Sequence, residues 1–433
     1  MATGYPSEET VEKAMRSGAK DYLSKFLKTA EFLFQSREER MHFYAKRWWN
    51  VLLFVSLVLL AFITTTVAAQ AGDLTKSNTS SQDTLTTDTS SQAGNLARHT
   101  ATPPPVVGVG IFGATLPKKG SLVGHFAAAY GLSAGSLIGT DSVTAAYAVQ
   151  NVYTTYSPEG VGVPHLVRND PKDVKIWTMI AGLNYGLTDN FAVSVATQYF
   201  IKQQNVNVFR GMSGDDLLGV DSTHSDGIGD TFLTGLYHLY GDRINKINIF
   251  FGMSVPTGST TVTSTAFNNS GVYSIKRAVY TLQLGTGTFD AMPGITYVGV
   301  IGRWTWGLSY RSRLPMDTNN QGYRWGNYNE FDGWTGYRLL PGLGTSLRIV
   351  GSLQGPIHGY DPQILGYGPC SNPLWFGGDF VDLLPGVSIS GRYIGVPRLS
   401  MSTAVDLPLY QNLNGLHTAR DYAVIISLKY KFF

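Results

Sequence analysis

Arg303, Arg311 and Arg313 stand on one parity of a segment whose other parity, Trp304, Trp306, Leu308 and Tyr310, is wholly apolar. Arg348 has the same setting in a neighbouring segment, as do Lys202, Lys429 and Lys431 elsewhere, with Asp230 and Asp406 as candidate counter-charges. His238 shares a polar parity with Asp230 and Thr234. Charges repeated along an inner wall do one of two things. As rings in a pore they set ion preference, basic ones favouring anions; as arginine–carboxylate pairs they fill and brace a narrow barrel. Catalytic chemistry finds less support. The eight histidines are scattered and no HExxH, CxxC or CxxCH occurs, so zinc, dithiol redox and attached haem have no motif. A hydrolase centre around His238 would need a serine that no motif specifies. Asp215, Asp216, Asp221 and Asp226 crowd one stretch without the spacing of a calcium loop. Gly108, Gly110 and Gly113 spell GxGxxG, yet Pro117 follows and no βαβ unit surrounds them, so a dinucleotide site is not expected. The chain is read as a non-enzyme with no catalytic, cofactor-binding or metal residues.

The charged rows need elements with two unlike faces. Ile247, Ile249, Phe251, Met253 and Val255 oppose Asn248, Gly252 and Ser254, with Phe250 out of pattern. Phe191, Val193, Val195, Tyr199 and Ile201 oppose Ala192, Ser194, Ala196, Gln198 and Lys202, and Leu399, Met401, Val405, Leu407 and Leu409 oppose Ser400, Ser402, Ala404 and Asp406. In the last segment Tyr422, Val424, Ile426, Leu428, Tyr430 and Phe432 oppose Ala423, Ser427, Lys429 and Lys431, before a final Phe433. A soluble sandwich would also alternate, but it would not turn arginines inward. A sheet closed on itself, with lipid outside and water inside, suits both rows and satisfies every backbone group. The expectation is an all-β transmembrane antiparallel up-and-down β-barrel of about 12 strands over 107–433. Short turns fall at 187–190, 241–243, 302–303, 341–342 and 393–397, and long loops at 131–173, 205–226, 257–292, 315–328, 358–379 and 411–420. Short turns face the periplasm in such barrels, which places both termini there.

Composition agrees. Charged residues are 15%, against 49 Gly, 24 Tyr, 21 Phe and 8 Trp, and a net charge of +3 gives no case for nucleic acid. Cys370, the single cysteine, sits in Gly-Pro-Cys-Ser-Asn-Pro and reads as an exposed loop residue. Before the barrel, 1–40 reads as a short helical extension, and 41–71 as a signal peptide with Lys46 and Arg47 preceding the apolar run 51–63. An uncleaved anchor is the alternative. Residues 72–106 read as a Ser/Thr/Pro-rich disordered linker.

Two resemblances follow. The runs 3–7 and 12–25 resemble the end of a bacterial response-regulator receiver domain, Thr3 and Lys25 matching its switch residues. The Pro after that Lys is replaced by Phe26 and the acidic pocket would lie upstream, so no receiver function carries over; the stretch reads as a fusion remnant or an early start codon. From Gly108 to Phe433, in order, Asp226-Gly227-Ile228-Gly229-Asp230, Ser254-Val255-Pro256-Thr257-Gly258-Ser259, Gln283-Leu284-Gly285-Thr286-Gly287-Thr288-Phe289-Asp290, Gly322-Tyr323-Arg324-Trp325-Gly326 and Leu407-Pro408-Leu409-Tyr410-Gln411-Asn412 resemble the outer-membrane barrel family named for the meta-pathway of phenol degradation. The family's methionine-rich early strands are absent. The resemblance implies passage of small organic solutes, with aromatic ones among the candidates. The expected function is passive uptake across the outer membrane, with lipid, the barrel-assembly machinery (through the last strand) and small solutes as partners. The alternative is a non-transporting structural or partner-binding barrel. Charged lumen residues expected to line the pore are Lys202, Asp230, His238, Arg303, Arg311, Arg313, Arg348, Asp406, Lys429 and Lys431.

Overall fold

The computed structural model describes residues 105–211 and 216–433. The helical extension, the signal peptide, all but the last residues of the linker, and Asp215 lie outside the described residues. The strands are β1 Leu122–Gly139, β2 Asp141–Val143, β3 Tyr153–Ser157, β4 Gly160–Leu166, β5 Asn169–Gly186, β6 Phe191–Phe209, β7 Leu217–Gly241, β8 Asn245–Val255 and β9 Thr263–Phe267. They continue with β10 Tyr273–Arg277, β11 Asp290–Ile301, β12 Trp304–Pro315, β13 Tyr323–Arg324, β14 Tyr328–Leu340, β15 Leu343–Gln354, β16 His358–Gly359, β17 Gly378–Ser390 and β18 Leu399–Lys431. One short helix, α1, covers Ala145–Asn151.

The wall runs β1-β5-β6-β7-β8-β11-β12-β14-β15-β17-β18, and β18 pairs back onto β1, so the sheet is closed and every neighbour is antiparallel. β18 is a hairpin in itself. Ser400 lies opposite Ser390 and Leu413 opposite Gly378 on the way up; Leu413 lies opposite Gly139 and Lys431 opposite Val123 on the way down. The Lys431 N–H donates to the Arg398 carbonyl at 3.0 Å, joining the two limbs. The ring of eleven elements therefore has twelve spans, with β2 a short appendage of β1. The expected long loop at 411–420 is instead the tight top of this hairpin.

Alternation sorts the two faces as expected. Phe251 and Leu308 are 64% and 63% exposed on the outside, whereas their neighbours Asn248, Thr305 and Ser309 are buried inside. Aromatic pairs mark both rims of the apolar belt: Trp304 against Tyr337 near the short turns, and Tyr130 against Trp177 and Tyr310 against Phe331 toward the long loops. Backbone groups in this belt find no water, and closure of the ladder supplies their partners.

All five short turns form where expected, but the strands reach further at the other end. β5, β6 and β7 stay paired up to Asn169, Val208 and Gly219, through stretches expected to be loops. Their outer faces there become polar: the Gln203 amide donates to the Ser222 hydroxyl at 3.2 Å and the Asn205 amide to Asp173 at 2.8 Å. Strands that leave the lipid keep their ladder and lose their apolar row. Asp221 and Asp226 belong to this extension and sit on opposite faces of β7, the first buried beneath the Phe267 N–H and the second outside, accepting from the Tyr199 hydroxyl. They do not form a shared loop cluster.

Candidate functional site: a lumen between a plug and a cap

The glycine-rich run after the linker threads into the barrel. Residues 106–117 enter at the short-turn end, cross the lumen and return to the same rim, where Lys119 bridges to Gly186 at the end of β5. Four hydrogen bonds hold this plug. Val106 N–H donates to the Thr305 hydroxyl at 3.1 Å, Arg348 Nη1 to the Val109 carbonyl at 2.9 Å, the Thr296 hydroxyl to the Phe112 carbonyl at 2.8 Å, and Asn248 Nδ2 to the Gly113 carbonyl at 2.7 Å. Ile111 and Ala114 pack on Val298 and Trp334, while Phe112 meets Phe250 edge-on, ring centres 5.0 Å apart. Phe250 breaks the alternation of β8 because its inward neighbour is this apolar plug, not water.

The glycines of GxGxxG now have a physical reason. Gly110 and Gly113 have φ of +86° and +76°, a left-handed backbone that side chains resist. A Cβ on Gly110 would come to 2.6 Å from Arg348 Nη1, and one on Gly113 to 3.1 Å from the Phe250 ring. The spacing serves a tight crossing of the lumen, not a phosphate.

At the long-loop end the lumen is capped. The hairpin of β9 and β10 leads into a 3-10 turn at Tyr280–Leu282, whose Tyr280 packs with Tyr323, Ile357, Ile364 and Phe376 in a buried aromatic core. Tyr280 and Phe376 meet edge-on at 5.6 Å, and the Tyr280 oxygen accepts the Asp361 N–H at 2.9 Å. Lys202 reaches up to the Thr281 and Gln283 carbonyls at 3.1 and 2.6 Å. Arg313 joins Asp230 at 2.8 Å and Asp290 at 2.5 Å, and Asp230 also accepts the Thr286 N–H. Cys370 lies inside this cap. It is 4% exposed, takes the Gln204 amide at 3.0 Å, and burial pushes its thiol up to about 11. Its flanking prolines give short 3-10 turns that tuck it inward, so the expected exposed loop residue is buried.

Between plug and cap lie two adjoining chambers. The lower, about 720 Å³, is walled by the plug and by small and apolar side chains such as Ala127, Ala129, Ile180 and Ala196. The upper, about 350 Å³, lies under the strap 283–286 beside Phe200, Trp325, Lys202 and Arg313. Arg311, Ser312, Phe232 and Tyr328 line both, standing at the boundary between one and the other.

The charged residues expected in the lumen are largely there, but as pairs. Arg311 meets Glu330 at 2.7 Å; Arg348 meets Glu330 at 2.8 Å and Asp332 at 2.7 Å while also holding the plug. Arg420 meets Asp382 at 2.8 and 2.9 Å. Asp406 and Lys429 line the lower chamber. His238 faces inward, its Nδ1 2.7 Å from the Asn248 oxygen, and so orients the amide that holds Gly113. Lys431 stays at the short-turn rim, exposed, opposite Val123. Arg303 is a correction: it is exposed in the Gly302-Arg303 turn, with its carbonyl accepting the Arg338 N–H, because β12 begins only at Trp304. Sequence reasoning missed Glu330, Asp332, Asp382, Asp290 and Arg420. The alternation of Glu330, Asp332 and Trp334 against Phe331 and Gly333 would have shown the first two.

No protein-family model matches this chain, and no curated protein does. Among solved structures, it is similar to the COG4313 outer membrane channel from Pseudomonas putida F1, at 14% identity and TM-score 0.47 over 73% of this chain and 97% of that one. It is also similar to a Pseudomonas aeruginosa FadL homologue, at 10% identity and TM-score 0.38 over 72% and 91%, and to the Pseudomonas putida toluene transporter TodX, at 9% and 0.35 over 73% and 90%.

Proposed function

We propose that this chain is a bacterial outer-membrane channel for passive passage of small organic solutes, with the plug and both termini at the periplasmic end. The two adjoining chambers that share Arg311 carry this reading, since a barrel serving only as scaffold has no need of lined cavities stacked along its lumen. An apolar belt around a closed ladder supports a bilayer setting. The arginines support solute passage differently from a basic ring. Arg311, Arg313, Arg348 and Arg420 each have a carboxylate partner, which cancels much of the field that would gather anions and leaves the braced wall.

The test is uptake by proteoliposomes holding the chain from about Gln70 onward, with phenol-sized and sugar-sized solutes, alongside conductance in a planar bilayer. Passage is expected for the smaller organic solutes with low ion conductance while the plug is seated. Uptake equal to protein-free liposomes for every solute would favour the scaffold reading.

A further inference from the structure

The lower chamber is two-sided. Across β1, β5 and β6 it presents Ala127, Ala129, Ile180 and Ala196, and on the adjoining arc, which meets β1 at β18, it presents the paired charges of β14, β15, β17 and β18. Asp406 interrupts that pairing. Its Oδ1 is buried and takes no hydrogen bond, and the flanking lining residues, Leu384 on β17 and Ile425 on the descending limb of β18, have nothing to donate. The cations within electrostatic reach are already engaged: Arg420 grips Asp382 through two contacts, and Arg348 holds Glu330, Asp332 and the plug carbonyl of Val109. A carboxylate in such a place gains strongly from a donor that arrives with a ligand, because an unsatisfied buried acceptor carries the full cost of its lost hydration.

Resting on the channel reading, and narrowing its solute, we propose that the lower chamber is a binding site for amphipathic molecules with an apolar body and one donor group, hydroxyl or ammonium. The donor is held by Asp406 and the body lies against the Ala127, Ala129 and Ile180 wall. A chamber of about 720 Å³ is of the size that small-molecule sites use, and a lining that sets an apolar arc beside a polar and charged one suits a ligand with two unlike ends. Asp406 discriminates by charge sign: an anionic analogue of the same shape, placed against it, meets the carboxylate with no donor.

Four probes of one body test this: toluene, benzyl alcohol, benzylammonium and benzoate, measured by equilibrium dialysis against the purified chain in detergent. Benzylammonium and benzyl alcohol are expected to bind tighter than toluene, with benzoate weakest. In Asp406→Asn, confirmed as folded by its heat-modifiable gel migration, benzylammonium affinity is expected to fall about tenfold or more while toluene is unchanged. Benzoate binding as well as benzylammonium, equal binding of all four, no binding, or an Asp406→Asn variant with the original ranking would each overturn the proposal. The wild-type ranking decides the matter even if the variant does not assemble. Uptake into proteoliposomes is read separately: donor-selective binding without uptake would keep this site and remove the channel reading.

Discussion

The two closures of the lumen are built from different materials. The plug at the short-turn end is one unbranched loop of chain with no core of its own, held by four hydrogen bonds to side chains of the wall and by the contacts of Ile111, Phe112 and Ala114. The cap at the long-loop end is a folded assembly, with its own aromatic core and with Arg313 locked between Asp230 and Asp290. A hydrogen bond contributes about 1 kcal/mol net, so a few of them make a closure that the chain can release without losing its fold. A buried aromatic cluster linked to an ion-paired strap cannot be released so cheaply. The contrast assigns movement to the plug and permanence to the cap.

Deleting 106–117 should break that contrast most strongly. The wall keeps its ladder, so the barrel should assemble, and the lower chamber would open to the short-turn side. Conductance in a planar bilayer should rise by about an order of magnitude or more. A deletion variant that folds and conducts no better than the parent would show that the cap, not the plug, sets the barrier.

The cap should respond in stability, not in conductance. Tyr280 is 1% exposed among Tyr323, Ile357 and Phe376, and Tyr280→Ala removes a buried ring, at a cost of about 3 to 5 kcal/mol. Denaturant unfolding from lipid vesicles would read this as a lower midpoint. A loss below about 1 kcal/mol would mean that the cap is as loose as the plug.

The wall and the plug were unequally legible in the sequence. The wall shows itself because lipid demands an apolar row, and Trp304, Trp306, Leu308 and Tyr310 spell that demand residue by residue. Where β5 to β7 rise beyond the belt, the demand ends; the outer face carries Gln203, Asn205 and Ser222, and the strands read as loops although their pairing continues. The plug was hidden for another reason. Its glycines serve a crossing that depends on Arg348 and Phe250, residues far along the chain, and local pattern carries no trace of such partners. The same holds for ion pairing: a parity argument places Arg311 and Arg348 inside but does not say that Glu330 sits between them.

Neighbouring substitutions on β12 separate wall from plug. Trp306→Arg puts a charge on the lipid face and should cost about 2 to 4 kcal/mol near the midplane, whatever the plug does. Parity alone predicts Thr305→Arg, on the lumen side, to be mild. Thr305 is 1% exposed and accepts the Val106 N–H, so the longer side chain has no room with the plug seated. Thr305→Arg should therefore assemble but expose 106–117 to protease, and in the plug-deleted chain the same change should become nearly silent. Equal effects in both backgrounds would place Thr305 outside the plug's hold.

The smallest expected effect tests whether the plug's hold is relayed through the wall. Asn248 Nδ2 holds the Gly113 carbonyl while its oxygen meets His238 Nδ1, so the amide is fixed in one orientation by a residue that never touches the plug. Asn248→Ala removes the bond to Gly113 directly and should raise the plug's protease sensitivity by the equivalent of about 1 kcal/mol, with the unfolding midpoint barely moved. His238→Ala leaves Asn248 in place but frees it to turn, and should produce a smaller shift in the same direction. If His238→Ala matched Asn248→Ala in full, the orientation supplied by His238 would be the whole of the effect. If it did nothing, the plug would be held at Gly113 by Asn248 alone, and the inward histidine would be part of the wall and no part of the closure.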